Sequence, residues 1–452
     1  MVTMPNSLEI TAATIDPALL DLPWEVPLED WPSDILAALP RGLSRHIVRF
    51  VNLSGRVIAV KEIGERVAHH EYEMLRDLSR INAPSVLPTA VVTGRRDAAG
   101  EELNAVLVTE HLQFSLPYRA LFSQYMTPDT ATRLIDALAV LLVRLHLLGF
   151  YWGDVSLSNT LFRRDAGAFS AYLVDAETGE LHPSLTTGQR DYDVDLARTN
   201  IIGELMDLQA GSYFPEDEDP IEVGDRIRSR YEELWRELTA PESIETGQRW
   251  RVAERIDRLN ELGFSVGELQ MVSDLDGTHL TIQPKVVDSG HFHRQMMRLT
   301  GMDVGEMQAQ RMLNDLETYR AMTGRQGQPI EIVAHEWMRD VFEPIINGVP
   351  PELRAKLEPA QIFHEVLEHR WFLAQRAGHD IPLDQVIDSY VHSILPTKRD
   401  EAILLDPGPQ DTAEMPAAIP EEPEDPEDST GPALVDDDPA TARPGDALPA
   451  DA

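Results

Sequence analysis

The residues best able to do chemistry lie close together near the middle of the chain. Asp154 and Asn159 are separated by four residues, and Asp175 follows them directly after an apolar run over residues 171–174. An Asp, an Asn and a second Asp in this order are typical of phosphoryl-transfer sites. There the first Asp accepts the proton of an attacking hydroxyl, and the other two side chains hold magnesium on the nucleotide phosphates. Taken singly, Asp154 is better explained as a helix cap and Asn159 as a turn residue than as catalytic groups.

A hairpin is predicted to bring these three side chains together. Residues 160–162 and 171–174 have the composition of two strands, joined by a polar turn over residues 163–167. A long apolar helix is predicted from Pro128 to Gly149, directly before the Asp154 loop. Because the loop precedes the first strand and Asp175 follows the second, all three side chains are expected at one end of the hairpin.

Two strands and a helix are predicted upstream. Residues 47–51 and 57–63 are rich in β-branched side chains and flank a turn, and the second strand carries Lys61. The following helix carries Glu71, with Glu73 two residues further on. Taken alone, Lys61 is explained by a long side chain that reaches the surface from a buried strand.

In this order and spacing, the motifs over about residues 24–210 resemble those of the protein kinase-like superfamily. They are most similar to lipopolysaccharide kinase-like (Kdo kinase-like) proteins. The resemblance implies a bilobal α+β fold, ATP as the phosphate donor and Mg²⁺ as the cofactor. It also implies that Lys61 holds the α- and β-phosphates and that Glu71 fixes Lys61, with Glu73 as the alternative partner.

The same resemblance assigns the remaining roles. Asp154 is expected to be the catalytic base, and Asn159 and Asp175 the metal ligands. Thr109 to Leu112 resembles the hinge between the two lobes, so Glu110 and Leu112 are expected at the adenine ring. Gly42 stands where the turn that covers the phosphates is expected.

The chain departs from the superfamily pattern at several points. Gly42 stands alone in place of a G-x-G-x-x-G loop, residues 152–154 read Trp-Gly-Asp in place of His-Arg-Asp, and residues 175–177 read Asp-Ala-Glu in place of Asp-Phe-Gly. The segment after Asp175 is short. This favours a small molecule, a glycan or an atypical protein as the phosphate acceptor, because peptide substrates rest on that segment.

Two hypotheses of different kinds follow. The complete set of Lys, Glu, Asp, Asn and Asp favours a divergent ATP- and Mg-dependent phosphotransferase. The altered motifs favour a pseudokinase that acts as a nucleotide-binding scaffold or regulatory module.

Composition narrows the class of protein further. The chain has 452 residues, a net charge of -38 and no cysteine, which excludes structural disulfides and thiolate metal sites. Phosphate repulsion by so acidic a chain argues against nucleic acid as a partner. The longest apolar run, Leu134 to Leu148, contains Asp136, Arg144 and His146, so no membrane span is predicted. We expect a cytoplasmic protein.

The chain is predicted to have four parts. Residues 1–20 are expected to be disordered, 21–210 to form the kinase-like domain, 221–396 a mainly helical domain with a small β-hairpin, and 397–452 a disordered acidic tail rich in Pro and Ala. This layout resembles an actinobacterial family of unknown function. The aromatic residues of the helical domain (Trp337, Phe342, Trp371 and Phe372) are expected in its core or in a domain interface. A protein partner could bind through the helical domain or the tail.

Overall fold

The computed structural model describes residues 7–13, 16–37, 46–122, 128–245, 248, 250–262, 264–273, 279–398, 400 and 401. The chain divides into two units, residues 1–408 and 409–452. Gly42 and residues 402–452 of the predicted tail lie outside the described residues.

An antiparallel five-stranded sheet forms the first lobe. Its strands are β1 (Glu9–Ala12), β2 (Ile47–Leu53), β3 (Arg56–Ile63), β4 (Pro88–Thr93) and β5 (Ala105–Glu110), in the order β1-β4-β5-β3-β2. Ser54 and Gly55, both with positive φ, make the tight turn between β2 and β3. Helix α1 (Glu65–Arg80) buries one apolar face, which includes Tyr72, Leu75 and Leu78.

The N-terminal segment covers the other face of this sheet. Strand β1 pairs with β4, and Leu19, Trp24 and Trp31 are buried in a core with residues of β3 and β5. This differs from the disorder that the sequence predicted for residues 1–20. The physical reason is that Leu19 has a place in an apolar core, so the segment gains more from burial than a solvated terminus would. Trp24 and Trp31 pack this segment onto the first lobe.

The second lobe is mainly helical and carries the hairpin. Its elements are β6 (Ser115–Pro117), α2 (Tyr118–Phe122), α3 (Pro128–Leu147), β7 (Phe150–Tyr151), β8 (Thr160–Asp165), β9 (Ala168–Leu173), β10 (Glu180–Leu181) and α4 (Thr187–Ala210). Strands β6, β8 and β9 form one sheet, and β7 pairs with β10. The hairpin turn is only Ala166 and Gly167, because residues 163–165 continue β8. The predicted polar turn over 163–167 was therefore too long.

The remaining elements are α5 (Pro220–Thr239), β11 (Glu242–Glu245), α6 (Trp250–Glu261), β12 (Phe264–Ser273), β13 (His279–Ser289), α7 (His291–Thr300), α8 (Glu306–Met322), α9 (Ile330–Trp337), a π-helical turn (Met338–Phe342), α10 (Glu343–Asn347), α11 (Pro359–Ala377) and α12 (Leu383–Ser393). The predicted hairpin is part of a three-stranded sheet, in the order β11-β13-β12. Helix α5 shares its core with α3 and α4, while α7 to α12 enclose a separate core.

The predictions for the aromatic residues of the helical part divide into two outcomes. Trp337 and Phe342 are buried in its core, as predicted. The prediction for Trp371 and Phe372 is wrong: they are 59% and 49% exposed, because α11 buries no residue after Val366, and beyond it only Leu367 and Leu373 pack partly against the core. Among the described helices, none combines the length and apolar character that a membrane crossing requires.

Candidate active site

Lys61 stands at the centre of a cluster that joins the two lobes. Its Nζ atom lies 3.1 Å from Glu71 Oε2, 2.7 Å from Asp175 Oδ2 and 3.5 Å from Glu177 Oε2. Strand β3 supplies Lys61, α1 supplies Glu71, and the loop after β9 supplies the other two carboxylates. One cation therefore holds three carboxylates that come from two separate elements.

Burial and charge together set the protonation of this cluster. Burial alone would lower the pKa of Lys61, but the carboxylates of Glu71, Asp175 and Glu177 offset burial and hold it above its usual value. Glu71 is buried, and burial together with the charge of Asp175 raises its pKa to about 8 against the opposing effect of Lys61. Lys61 therefore stays charged near neutral pH, and the carboxyl group of Glu71 binds a proton more readily than an ordinary glutamate does.

The structure decides between the two glutamates that the sequence left open. Glu71 lies on the buried face of α1 and contacts Lys61, whereas Glu73 is exposed. Glu177 was not among the sequence candidates, although it belongs to the divergent Asp-Ala-Glu motif. That divergence was the available signal: a carboxylate replaces a glycine two residues after Asp175, where it reaches Lys61 and lies 3.3 Å from His46 Nε2.

Asp154 and Asn159 are in direct contact. The side-chain amide of Asn159 donates to Asp154 Oδ2 at 2.9 Å and to the Asp154 carbonyl at 3.0 Å. Gly153 has a φ of 76°, a conformation that favours glycine and turns the chain sharply before Asp154. The Val174 amide donates to the Asn159 carbonyl at 3.1 Å, which brings the end of β9 beside this loop. Asp154, Asn159 and Asp175 thus lie at one end of the hairpin, as the spacing predicted.

Trp152 connects the Asp154 loop to the segment that begins with the Asp-Ala-Glu motif at residues 175–177. This residue stands where the superfamily has a histidine. It is fully buried, and its indole nitrogen donates to the Asp175 carbonyl at 2.9 Å. The Thr178 hydroxyl donates in turn to the Trp152 carbonyl at 2.7 Å. At the position where the superfamily has a histidine, Trp152 therefore holds the Asp154 loop against residues 175–178.

Two carboxylates of α4 accept hydrogen bonds from backbone amides of the Asp154 loop. Asp193 accepts hydrogen bonds from the amides of Trp152 and Gly153, each at 2.8 Å. Glu204 accepts from the amides of Leu157 and Ser158, at 2.9 and 2.8 Å. Sequence reasoning missed both residues, because no local pattern distinguishes them from the exposed acids of the same helix.

The predicted hinge, Thr109 to Leu112, begins with the last two residues of β5. The Glu110 carboxylate binds Arg56 at 2.7 Å at the surface and the Glu110 amide donates to the Leu87 carbonyl at 2.8 Å, so the Glu110 carbonyl is the group left for a ring in the cleft. The His111 amide donates to the Val57 carbonyl at 3.1 Å, and burial lowers the pKa of its imidazole to about 4. Among the described residues, none accepts a hydrogen bond from the Leu112 amide. This donor is available to a ligand.

The chemistry of the donor set fits a hard divalent cation. Among the described residues, only Glu71, Asp175 and Glu177 form a group of at least three acidic or histidine side chains with ligand atoms within 4.8 Å of one another. Carboxylate and amide oxygens are the ligands that Mg²⁺ takes in proteins. Glu71, Asp175 and Glu177 are therefore the residues whose oxygens lie close enough together to hold Mg²⁺.

The chain that follows the kinase-like part contacts the end of the hairpin opposite to Asp154, at residues 163–165. Arg163 pairs with Glu358, and Arg164 pairs with Glu401 at 2.7 Å. Asp165 accepts a hydrogen bond from the Gln308 amide at 2.7 Å. Three consecutive residues of β8 are thus bound by three different segments downstream, including a residue assigned to the predicted tail.

Fold and site together define a bilobal kinase-like unit. A strand lysine is paired with a helix glutamate, and a loop Asp–Asn pair lies beside a strand-borne Asp.

Comparison with known proteins identifies the type of kinase-like unit. Residues 53–202 match the model of the Lipopolysaccharide kinase (Kdo/WaaP) family. This part of the chain is a Kdo kinase-like member of the protein kinase-like superfamily, a group of kinase-like phosphotransferases.

The chain was also compared with other family models, with solved structures and with curated proteins. Residues 233–395 match the model of a domain of unknown function, DUF4032. The solved structure of "WaaP in complex with acyl carrier protein" is 15% identical, and the match covers 56% of this chain and 99% of that one with a TM-score of 0.33. A likeness at that TM-score carries no argument. Comparison with curated proteins found no match.

Proposed function

We propose that the protein is an ATP- and Mg-dependent phosphotransferase that moves the γ-phosphoryl group of ATP to a hydroxyl of its acceptor. The observation that carries this proposal is the convergence of Glu71, Asp175 and Glu177 on Lys61. Such an arrangement combines a fixed cation for phosphate oxygens with carboxylates suited to a divalent metal. Since ATP is the proposed donor, we expect the protein to act in the cytoplasm.

Each residue of the site has a role that its contacts support. Lys61, fixed by Glu71, would bind the α- and β-phosphate oxygens. Asp175 and Asn159, with Glu177, would hold Mg²⁺, which supplies positive charge against the phosphates. The Leu112 amide and the backbone of Glu110 would meet the adenine ring. The proposed role of Gly42 falls outside the described residues.

Asp154 is the proposed base. Its contact with the Asn159 amide orients the carboxylate at the end of the hairpin, where a deprotonated carboxylate can accept a proton. The acceptor hydroxyl would give its proton to Asp154 as its oxygen bonds to the γ-phosphorus, while the bond to the β-γ bridging oxygen breaks and ADP leaves. Catalysis of this kind rests on positioning and charge stabilisation.

The acceptor is proposed to be a small molecule, a glycan or an atypical protein. Only residues 176–186 connect Asp175 to α4, and β10, which pairs with β7, occupies part of that segment. Little chain is left to support an extended peptide.

A second candidate function is a pseudokinase that binds nucleotide as a scaffold or regulatory module. The observation that favours it is that both carboxylates of the altered Asp-Ala-Glu motif contact Lys61. In this arrangement the motif neutralises the lysine that the nucleotide phosphates would otherwise bind.

Nucleotide binding and ATP consumption, measured side by side, separate these functions. We expect Mg-ATP to raise the unfolding temperature of the wild type and ATP consumption to require Asp175, so that Asp175→Ala abolishes it. Asp257→Ala changes an exposed acid of α6 and is the matched control. Binding without consumption would support the pseudokinase, and failure of the wild type to bind nucleotide would overturn both functions.

A further inference from the structure

A buried chain of three side chains links α5 to the Asp154 loop. The Tyr231 hydroxyl lies 2.7 Å from His146 Nδ1, and His146 Nε2 lies 3.1 Å from Asp193 Oδ2. Asp193 in turn binds the amides of Trp152 and Gly153, at 2.8 Å each. The side chains of His146 and Asp193 are completely buried, and Tyr231 is 4% exposed. Hydrogen bonds thus run without interruption from α5, through α3 and α4, to the residue before Asp154.

The partners of His146 define the direction of each hydrogen bond. An ionised Asp193 can only accept, so His146 Nε2 must carry the proton. Burial lowers the pKa of His146, so its ring is neutral and Nδ1 has a lone pair. The Tyr231 hydroxyl therefore donates to Nδ1 and selects the tautomer that donates to Asp193.

Tyr231 is itself held rigidly. Its ring stacks on Trp235 with a centroid distance of 5.8 Å and an interplanar angle of 15°. Arg190 of α4 lies over the outer ring of this stack, 4.3 Å from the Trp235 centroid. Tyr231 and Trp235 are both outside residues 53–202, the part that matches the kinase family. His146, in the part that matches the kinase family, therefore accepts a hydrogen bond from Tyr231, a residue of the chain that follows this part.

We propose that Tyr231 is a positioning residue for the Asp154 loop, acting through His146 and Asp193. Without the Tyr231 hydroxyl, Nδ1 would be a buried acceptor with no partner, or the ring would change tautomer and turn a lone pair toward the Asp193 carboxylate. Either outcome weakens the hold of Asp193 on the amides of Trp152 and Gly153. The consequence for catalysis rests on the proposed function, but the consequence for the loop does not.

Hydrogen exchange of the loop tests the positioning role without any turnover. Tyr231→Phe removes one oxygen and keeps the ring stack, so the fold is expected to persist. We expect faster exchange in peptides covering residues 150–157, and unchanged exchange in peptides covering β5. The matched control is Tyr213→Phe, which removes the hydroxyl of a tyrosine that is 45% exposed. Unchanged exchange of the loop in Tyr231→Phe would overturn the proposal.

Kinetics provide the second test where the wild type turns over ATP. A displacement of the base by about 1 Å costs up to about 100-fold in rate, so we expect kcat to fall at least about tenfold while KM for ATP stays within about twofold. A loss confined to KM would overturn the proposal.

Two variants of His146 test the chain from its middle. His146→Gln keeps an N–H donor for Asp193 and is expected to preserve loop protection better than His146→Leu, which keeps only volume. Equal loop exchange in the two variants would show that packing, and not the hydrogen bond, holds the loop, and would overturn the proposal. Failure of phosphoryl transfer in the wild type, with the exchange results as expected, would overturn the proposed function alone.

Discussion

The ammonium of Lys61 lies closer to Asp175, at 2.7 Å, than to Glu71, at 3.1 Å. The lysine thus connects the first lobe directly to the loop that follows β9. Under the proposed function, phosphate oxygens that bind Lys61 would have to compete with this carboxylate or displace it. The Lys61–Asp175 contact would then couple nucleotide binding to the arrangement of the two lobes.

The two glutamates of α1 make a matched pair for testing the role of Lys61. Glu71→Gln keeps the side-chain shape but replaces the carboxyl group that accepts from Lys61 with an amide, so we expect Mg-ATP to bind at least about tenfold more weakly. Glu73→Gln makes the same chemical change on the exposed face and should leave the dissociation constant unchanged. Isothermal titration with Mg-ATP measures both, and equal affinities would contradict the role given to Glu71.

Asp154 is expected to act on the rate and not on nucleotide binding. Asp154→Asn cannot accept the hydroxyl proton, and a lost general base costs about 100- to 10,000-fold in rate. The variant should therefore bind Mg-ATP as the wild type does and show almost no ATP consumption. Asp257→Asn, at an exposed position of α6, should retain wild-type activity. An active Asp154→Asn variant would rule out Asp154 as the base.

The Arg163–Glu358 pair is expected to matter most when only one partner is removed. Both side chains are largely buried, and burial raises the pKa of Glu358. Glu358→Ala would leave the Arg163 charge without its partner, at a cost of about 3–5 kcal/mol. The double change Arg163→Leu with Glu358→Leu should cost less than Glu358→Ala.

Urea denaturation measures this difference. Glu352→Ala, which removes an exposed glutamate, should leave the midpoint unchanged. A double variant less stable than Glu358→Ala would contradict the expectation and assign the loss to packing.

His111 is expected to contribute to acid sensitivity. Burial lowers its pKa from 6.5 to about 4 in the folded protein. The unfolded chain therefore binds a proton that the folded chain refuses, and the contribution of His111 to stability is complete above pH 6.5 and is lost as the pH falls toward about 4. In thermal unfolding across this interval, His111→Gln should lose less stability than the wild type. His392→Gln, at a largely exposed histidine, should follow the wild type. An unchanged pH dependence in His111→Gln would contradict the assignment.

The sequence predicted those parts of the site that depend on local order. Asp154, Asn159 and Asp175 flank a short hairpin, so spacing alone placed them at one end of it. The choice of Glu71 over Glu73 also had a local signal: Glu71 lies four and seven residues before Leu75 and Leu78, on the apolar face of α1. The catalytic and binding roles given to Asp154, Asn159, Asp175 and Glu71 remain predictions.

Other features depend on contacts between distant residues and had no local signal. Asp193 is buried and Glu204 half-buried because α4 packs against the Asp154 loop, which the composition of α4 does not reveal. The error at Trp371 and Phe372 has the opposite origin. Aromatic character indicated burial, but after Val366 the apolar side chains of α11 that pack against the core formed by α7 to α12 are Leu367 and Leu373, both only partly buried.

The buried guanidinium of Arg95 has a practical consequence for truncation. It binds Glu62 at 2.6 Å and the carbonyls of Trp24 and Val26 at 3.0 and 2.7 Å, directly behind the strand that carries Lys61. A recombinant fragment that begins at residue 53, where the kinase-family match starts, would lack both carbonyls and leave Arg95 short of partners. The smallest fragment able to support Lys61 is therefore longer than the family boundary suggests, and it must include Trp24.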